Sequence, residues 1–376
     1  MLDAKPIDQL INQAIKNGVF PGAVISVGDA NGELYRNHYG SRSLIPERRP
    51  VEAGTMFDLA SLTKIVSTSM VVFKFIDAGK LRLDDKIGVF FDVPADKEKI
   101  TIRHLMTHAS GLPPHVMLSD FCANPQDAYA YILGVPLLAS PGADVAYSCL
   151  GYILLGKICE LLGGAPLDKL AAEMVFIPLG LDNTMYNPDV HNGNFAATEY
   201  DKERGACLSG VVHDEDARFM GGVAGNAGVF SDIADCAVFA QMLANKGRIG
   251  GRACKGVSAC GGVGTDASAG CDNNDAFISS NLFEEAIINH TPHCDEARGL
   301  GFAVKGAGPV SCGNIFSVGS YGHTGFTGTS VWVDAETTQY VVFLSNRVHP
   351  SRENVLLTPF RGVLHDCCAT AYRKQG

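Results

Sequence analysis

Along the first twenty residues apolar side chains return at helical spacing, at Ile7, Leu10, Ile11, Ala14 and Ile15. That is the stripe of a helix with one buried face. Pro21-Gly22 interrupts it. Two strand-like runs follow, AVISVGD (23–29) and ELYRNHYG (33–40), parted by the turn residues Asp29, Asn31 and Gly32, and together they predict a hairpin. From Ser61 to Gly79 the chain reads SLTKIVSTSMVVFKFIDAG. A helix apolar on most sides belongs in the interior, and Gly79 supplies its stop. Between about 80 and 250 short helical patterns are joined by Pro, Gly and Asp loops, clearest in GYILLGKICELLGG (151–164) and CAVFAQMLANKG (236–247). Strand patterns return over 317–347, and 355–372 closes with helical period. Strands at both ends with helices between predict an α+β fold. Residues 1–80 and 290–376 would form one α/β domain, and 81–289 a mostly helical one. Within the latter, 250–275 is rich in Gly, Ala and Ser and reads as a flexible insertion.

Composition narrows the function classes. Of 376 residues, 46% are hydrophobic and 19% charged, which excludes disorder for most of the chain. A net charge of −10 without a dense Lys/Arg run argues against a nucleic-acid partner. No window holds 18 continuous apolar residues, so no membrane span is expected. The start lacks the basic end and apolar block of a signal peptide, and a cytoplasmic protein is the expectation. The twelve cysteines sit mostly singly in apolar segments and read as reduced thiols. With no C-x-x-C and no H-E-x-x-H, neither a metal nor a cofactor is expected.

Against that background the run Ser61-Leu62-Thr63-Lys64 stands out. At a helix start, positions i and i+3 share a face, so hydroxyl and amine can meet. The apolar helix behind would desolvate the amine and push its pKa down, towards a general base. Amides at the helix start could stabilise an oxyanion at Ser61. Three further segments add to this: HLMTHASGL (104–112), Tyr147-Ser148-Cys149 after Pro141-Gly142, and His323-Thr324-Gly325 at the head of a strand pattern.

Together these segments resemble the serine β-lactamase and penicillin-binding-protein superfamily, and within it the class C β-lactamase-like hydrolases and esterases. Ser61 and Lys64 match the S-x-x-K pair, Tyr147 the tyrosine of Y-x-N, and His323-Thr324-Gly325 the K-T-G strand motif in an H-T-G form. HLMTHASGL and GGVAGNAGVFS (221–231) match landmarks outside the catalytic set, and the resemblance spans about 5–365. It implies an antiparallel sheet flanked by helices, with a helical domain and the site between them. It also implies roles: Ser61 forms an acyl-enzyme, Lys64 and Tyr147 share the proton work, and His323 faces substrate with Thr324 and Gly325. The N–H groups of Ser61 and Phe326 form the oxyanion hole. One departure matters, because Cys149 stands where many relatives carry the Asn that holds an acyl-amide. Cysteine is a weak hydrogen-bonding group, which tilts the expectation towards esters.

Other residues read more plainly. His104 and His108 lack a third metal ligand, so packing or loop capping is expected of them. His213-Asp214-Glu215-Asp216 reads as solvated surface or a substrate edge, and Arg347 with His349 as an ion pair or a carboxylate contact. Cys254, Cys260 and Cys271 are spaced too irregularly for a zinc knuckle, and no G-x-S-x-G is present. The sequence thus predicts a serine hydrolase acting on a small ester or amide. The alternatives are a D-amino-acid peptidase, a DD-carboxypeptidase or weak β-lactamase, and a non-catalytic binding protein on the same fold.

Overall fold

The computed structural model describes residues 2–191, 193–249, 276–306 and 311–373; the expected insertion at 250–275 lies outside them. Helix Lys5–Lys16 buries Ile7, Ile11 and Ala14, the stripe its period predicts. The hairpin follows as β1 (Gly22–Asp29) and β2 (Gly32–Ser43), with an irregularity between Val27 and Gly28. The remaining strands of the main sheet are β3 (Arg49–Pro50), β4 (Ala303–Val304), β5 (Tyr321–Thr324), β6 (Ser330–Val333) and β7 (Tyr340–Ser345). Their spatial order is β3-β2-β1-β7-β6-β5-β4, each pair antiparallel. β1 from one end of the chain pairs with β7 from the other, in a register running from Ala23 opposite Ser345 to Gly28 opposite Tyr340.

Every residue of β1 is buried, because the sheet is a middle layer. Ala23, Ile25 and Val27 point into one core with Val341, Phe343 and the helices Lys5–Lys16 and Leu357–Arg373. Val24 points into the other with Val342 and Leu344. Burying each such Val, Leu or Phe is worth about 1.5–3 kcal/mol, which makes this sheet the rigid part of the frame. Helix Ile233–Ala244 arises inside the stretch expected to be the helical part, yet it lies against β1, β6 and β7.

The apolar segment after Ser61 is a composite. A 3₁₀ turn at Ala60–Leu62 leads into a widened π-type stretch at Lys64–Thr68, then an α-helix at Ser69–Asp77. Leu62, Ile65, Val66, Met70, Phe73 and Phe75 are all buried, as expected of an interior helix. It ends at Gly79, whose left-handed φ of 67° suits glycine. Helix Cys149–Gly163 packs beside it. The start of the composite helix lies under the turn that joins β5 to β6, and the candidate site forms there.

Candidate active site

Ser61 owes its position to a strained turn. The short strand Phe57–Asp58 pairs with Val229–Ser231, after which Ala60 adopts a left-handed φ of 46°. For a non-glycine residue this costs about 1–3 kcal/mol and needs support. Asp58 supplies it: one carboxylate oxygen accepts from the Ala60 N–H at 2.8 Å and the other from the His213 N–H at 2.7 Å. Burial pushes the Asp58 carboxyl up, against the pull of those two bonds. Half-buried Ser61 comes next and lines a cavity of about 1120 Å³.

Lys64 is fully buried beneath it. Its Nζ donates to Ser61 Oγ at 2.9 Å, the Asn226 carbonyl at 3.0 Å and Cys149 Sγ at 3.6 Å. Three acceptors meet the three hydrogens of an ammonium. The sequence expectation was a depressed amine, and burial does act in that direction. Cys149, Tyr147 and Asp214 outweigh it, and Lys64 is held above the ordinary lysine range. Sequence spacing could not supply this correction, because the outweighing groups come from distant segments.

Tyr147 lies with its ring centroid 5.0 Å from Lys64 Nζ. Among the described residues its buried Oη completes no hydrogen bond, although Ser61 and Lys64 are its neighbours. Burial pushes the phenol up and the Lys64 charge pulls it back, with a net upward shift. On the cavity side Arg298 caps the same ring, its guanidinium carbon 5.3 Å from the centroid, while it pairs with Glu296. Cys149 also lines the cavity, and burial raises its thiol.

The opposite wall comes from the end of β5. His323 donates through Nδ1 to the Thr324 carbonyl at 2.8 Å, which leaves buried Nε2 as an acceptor without a partner among the described residues. Burial, then Lys64 and Arg298, push His323 down to about 3, so the ring is neutral. Thr324, Gly325 and Phe326 follow along the wall. Phe326 is a central residue of the turn closed by the Gly328 N–H on the Gly325 carbonyl, at 3.1 Å, which leaves its own N–H unused by that bond. Thr327 and Thr329 hydroxyls donate to the carbonyls of Asp58 and Leu59 at 2.7 and 3.0 Å, binding this turn to the segment that carries Ser61. Arg347 donates from Nε to the Phe326 carbonyl at 2.8 Å and lies over its ring.

The residues singled out in the sequence therefore gather: Ser61, Tyr147, Cys149, His323, Thr324, Gly325 and Phe326 line one cavity, with Lys64 under its floor. His213, Asp214, Glu215 and Arg347 reach the same cavity. His104 does not; it completes a capping box with Thr101 at the start of helix Ile102–Met106. His349 is buried elsewhere, accepting from the Leu44 N–H at 2.8 Å. Cys254, Cys260 and Cys271 lie outside the described residues. Asn226 and Arg298 were not singled out; the first sits inside the GGVAGNAGVFS landmark, but nothing in the spacing marks its carbonyl as a lysine acceptor.

The sequence profile of the family described as Beta-lactamase matches residues 7–364. The chain belongs to the β-lactamase family. Its fold is accordingly β-lactamase/transpeptidase-like, and family and relatives together make it a serine hydrolase. Among relatives of this β-lactamase-family chain, an Escherichia coli (strain K12) protein provisionally named D-alanyl-D-alanine carboxypeptidase is 31% identical, covering 91% of this chain and 82% of its own. The N-acetylmuramyl-L-alanine amidase of Bacillus subtilis (strain 168) is 29% identical, covering 92% and 81%. In fold, EstCE1, described as a hydrolase with promiscuous acyltransferase activity, superimposes with a TM-score of 0.73 at 21% identity, covering 97% of this chain and 98% of its own.

Proposed function

We propose that this chain hydrolyses small carboxylic esters through an acyl-enzyme on Ser61. The observation that carries the reading is the buried Lys64 Nζ at 2.9 Å from Ser61 Oγ, beside a buried Tyr147 hydroxyl with no hydrogen-bond partner among the described residues. Ser61 Oγ adds to the substrate carbonyl, and its proton passes to the Lys64–Tyr147 pair, which must first have lost one. The new oxyanion accepts hydrogen bonds from the Ser61 and Phe326 N–H groups. Collapse breaks the bond to the leaving group, which takes the proton held by the pair. Water then adds to the acyl-enzyme by the same route in reverse order of roles, releasing the acid and freeing Ser61.

Esters are favoured over amides by Cys149. A thiol beside Lys64 gives an acyl-amide little to bond to, and an ester often has no such group to orient. The second reading, an amidase or carboxypeptidase on D-amino-acid substrates, is supported by what the two curated relatives are named for. A kinetic panel separates them: short-chain nitrophenyl esters, a chromogenic cephalosporin and D-alanyl peptides. The proposal expects the highest kcat/KM on an ester; a D-alanyl peptide or the cephalosporin in first place would overturn it.

A further inference from the structure

We propose that His108 is a positioning residue that holds the Tyr147 phenol in place beside Lys64 and Ser61, an inference that rests on the reading of Tyr147 as half of the proton-handling pair. His108 is buried, and its backbone is left-handed with a φ of 59°. Such a conformation in a residue other than glycine is strained and persists only where surroundings fix it. Here the surroundings are the two residues that flank Tyr147. The His108 carbonyl accepts from the Ala146 N–H at 2.9 Å, and its Nδ1 accepts from the Ser148 N–H at 3.0 Å. Between those two bonds the imidazole meets the Tyr147 ring, with centroids 4.3 Å apart. One residue therefore grips the tyrosine from before, from behind and across its face.

The choice of histidine is informative. Because Nδ1 accepts, the ring proton sits on Nε2, and that buried donor has no partner among the described residues. Packing alone would be served by an apolar ring without an unmet polar atom. An apolar ring could not accept the Ser148 N–H, so the nitrogen has a specific task. The ring also acts without charge. Burial, followed by the charges of Arg298 and Lys64, holds it well below the ordinary histidine range. His108 thus works by placement and not by exchanging a proton. The rest of the loop has its own anchors, Ser148 Oγ to the Pro113 carbonyl at 2.7 Å and the Cys149 N–H to the Pro114 carbonyl at 2.9 Å. Losing the His108 contacts should therefore loosen Tyr147 and leave helix Cys149–Gly163 in place.

The test compares His108→Ala and His108→Asn in two backgrounds, wild type and Tyr147→Phe, by kcat and KM on a nitrophenyl ester. Asn tolerates the left-handed backbone and offers an oxygen to the Ser148 N–H, so it is the gentler variant. In wild type, His108→Ala should lower kcat on the order of tenfold with KM nearly unchanged, and His108→Asn should recover part of the loss. In the Tyr147→Phe background, either change should alter kcat by less than about twofold, since the hydroxyl being positioned is gone. Equal losses in both backgrounds would reduce His108 to a structural residue and overturn the proposal. Should His108→Ala fail to fold, His108→Asn carries the same comparison. If Tyr147→Phe itself leaves kcat intact, the proton-pair reading fails and this inference falls with it.

Discussion

Burying a lysine ammonium costs several kcal/mol unless each of its hydrogens finds an acceptor, and Lys64 finds three, in Ser61, Asn226 and Cys149. With Lys64 held above its ordinary range and Tyr147 likewise, the pair gives up its first proton only on the alkaline side. Deprotonation creates the form that accepts the Ser61 proton, so kcat/KM should climb from neutral into alkaline pH and not fall there. His323, pushed down to about 3, stays neutral and adds no step between pH 5 and 8. Stopped-flow rates on one ester from about pH 5 to about pH 10 check both points, and a maximum near neutrality would contradict them. Replacing Lys64 by Met and Tyr147 by Phe should each cost nearly as much as both together, because a broken relay is not broken further; additive losses would mean two independent jobs. At Cys149, substitution by Asn restores one hydrogen bond, worth about 0.5–1.5 kcal/mol or roughly three- to tenfold in rate on a D-alanyl amide. Nitrophenyl acetate turnover should change little, and equal slowing of both substrates would remove Cys149 as the discriminator.

Between elements, the site depends on how the β5–β6 turn sits on the segment before Ser61. Gly325 allows that approach: a Cβ there would lie 2.1 Å from Thr329 Oγ1 and 2.5 Å from the Leu59 carbonyl, the two atoms that hydrogen-bond each other. Gly325→Ala should lever the Phe326 N–H away from Ser61 and lower kcat on the order of 100-fold, with far-UV circular dichroism unchanged. Unimpaired turnover in a folded Gly325→Ala protein would show that this contact does not set the oxyanion geometry. Element types were largely legible in the chain itself. The stripe of Ile7, Ile11 and Ala14 reflects a single buried face, and the turn residues between the two strand-like runs mark the bend of the first hairpin, both of which a local stretch of chain reports directly. The composite character of 60–77 was not legible, because a π-type widening leaves the residues just as buried and just as apolar. Nor was the packing of Ile233–Ala244 on the sheet, since its apolar pattern suits either kind of neighbour.

For the molecule as a whole, one cavity unites residues from the turn at Ala60 to helix Leu357–Arg373, and the sequence singled out its polar centre but not most of its walls. Ser61, Lys64, Tyr147 and the His323-Thr324-Gly325 run were visible because each lies in a short motif of fixed spacing. Asn226, Arg298 and the task of His108 were not, because each acts through contacts made across long chain separations. The misjudged direction at Lys64 has the same origin: local burial was readable, while Cys149, Tyr147 and Asp214 arrive beside it only with the fold. The central claim, an acyl-enzyme on Ser61, is open to one direct measurement. Wild type and Ser61→Ala are each mixed with a slowly turned-over ester, quenched, digested and read by mass spectrometry. The added acyl mass is expected on the peptide carrying Ser61 and absent in Ser61→Ala, with a loss of turnover on the order of 1,000-fold or more in that variant. An acyl group on any other residue, or full turnover without Ser61, would contradict it.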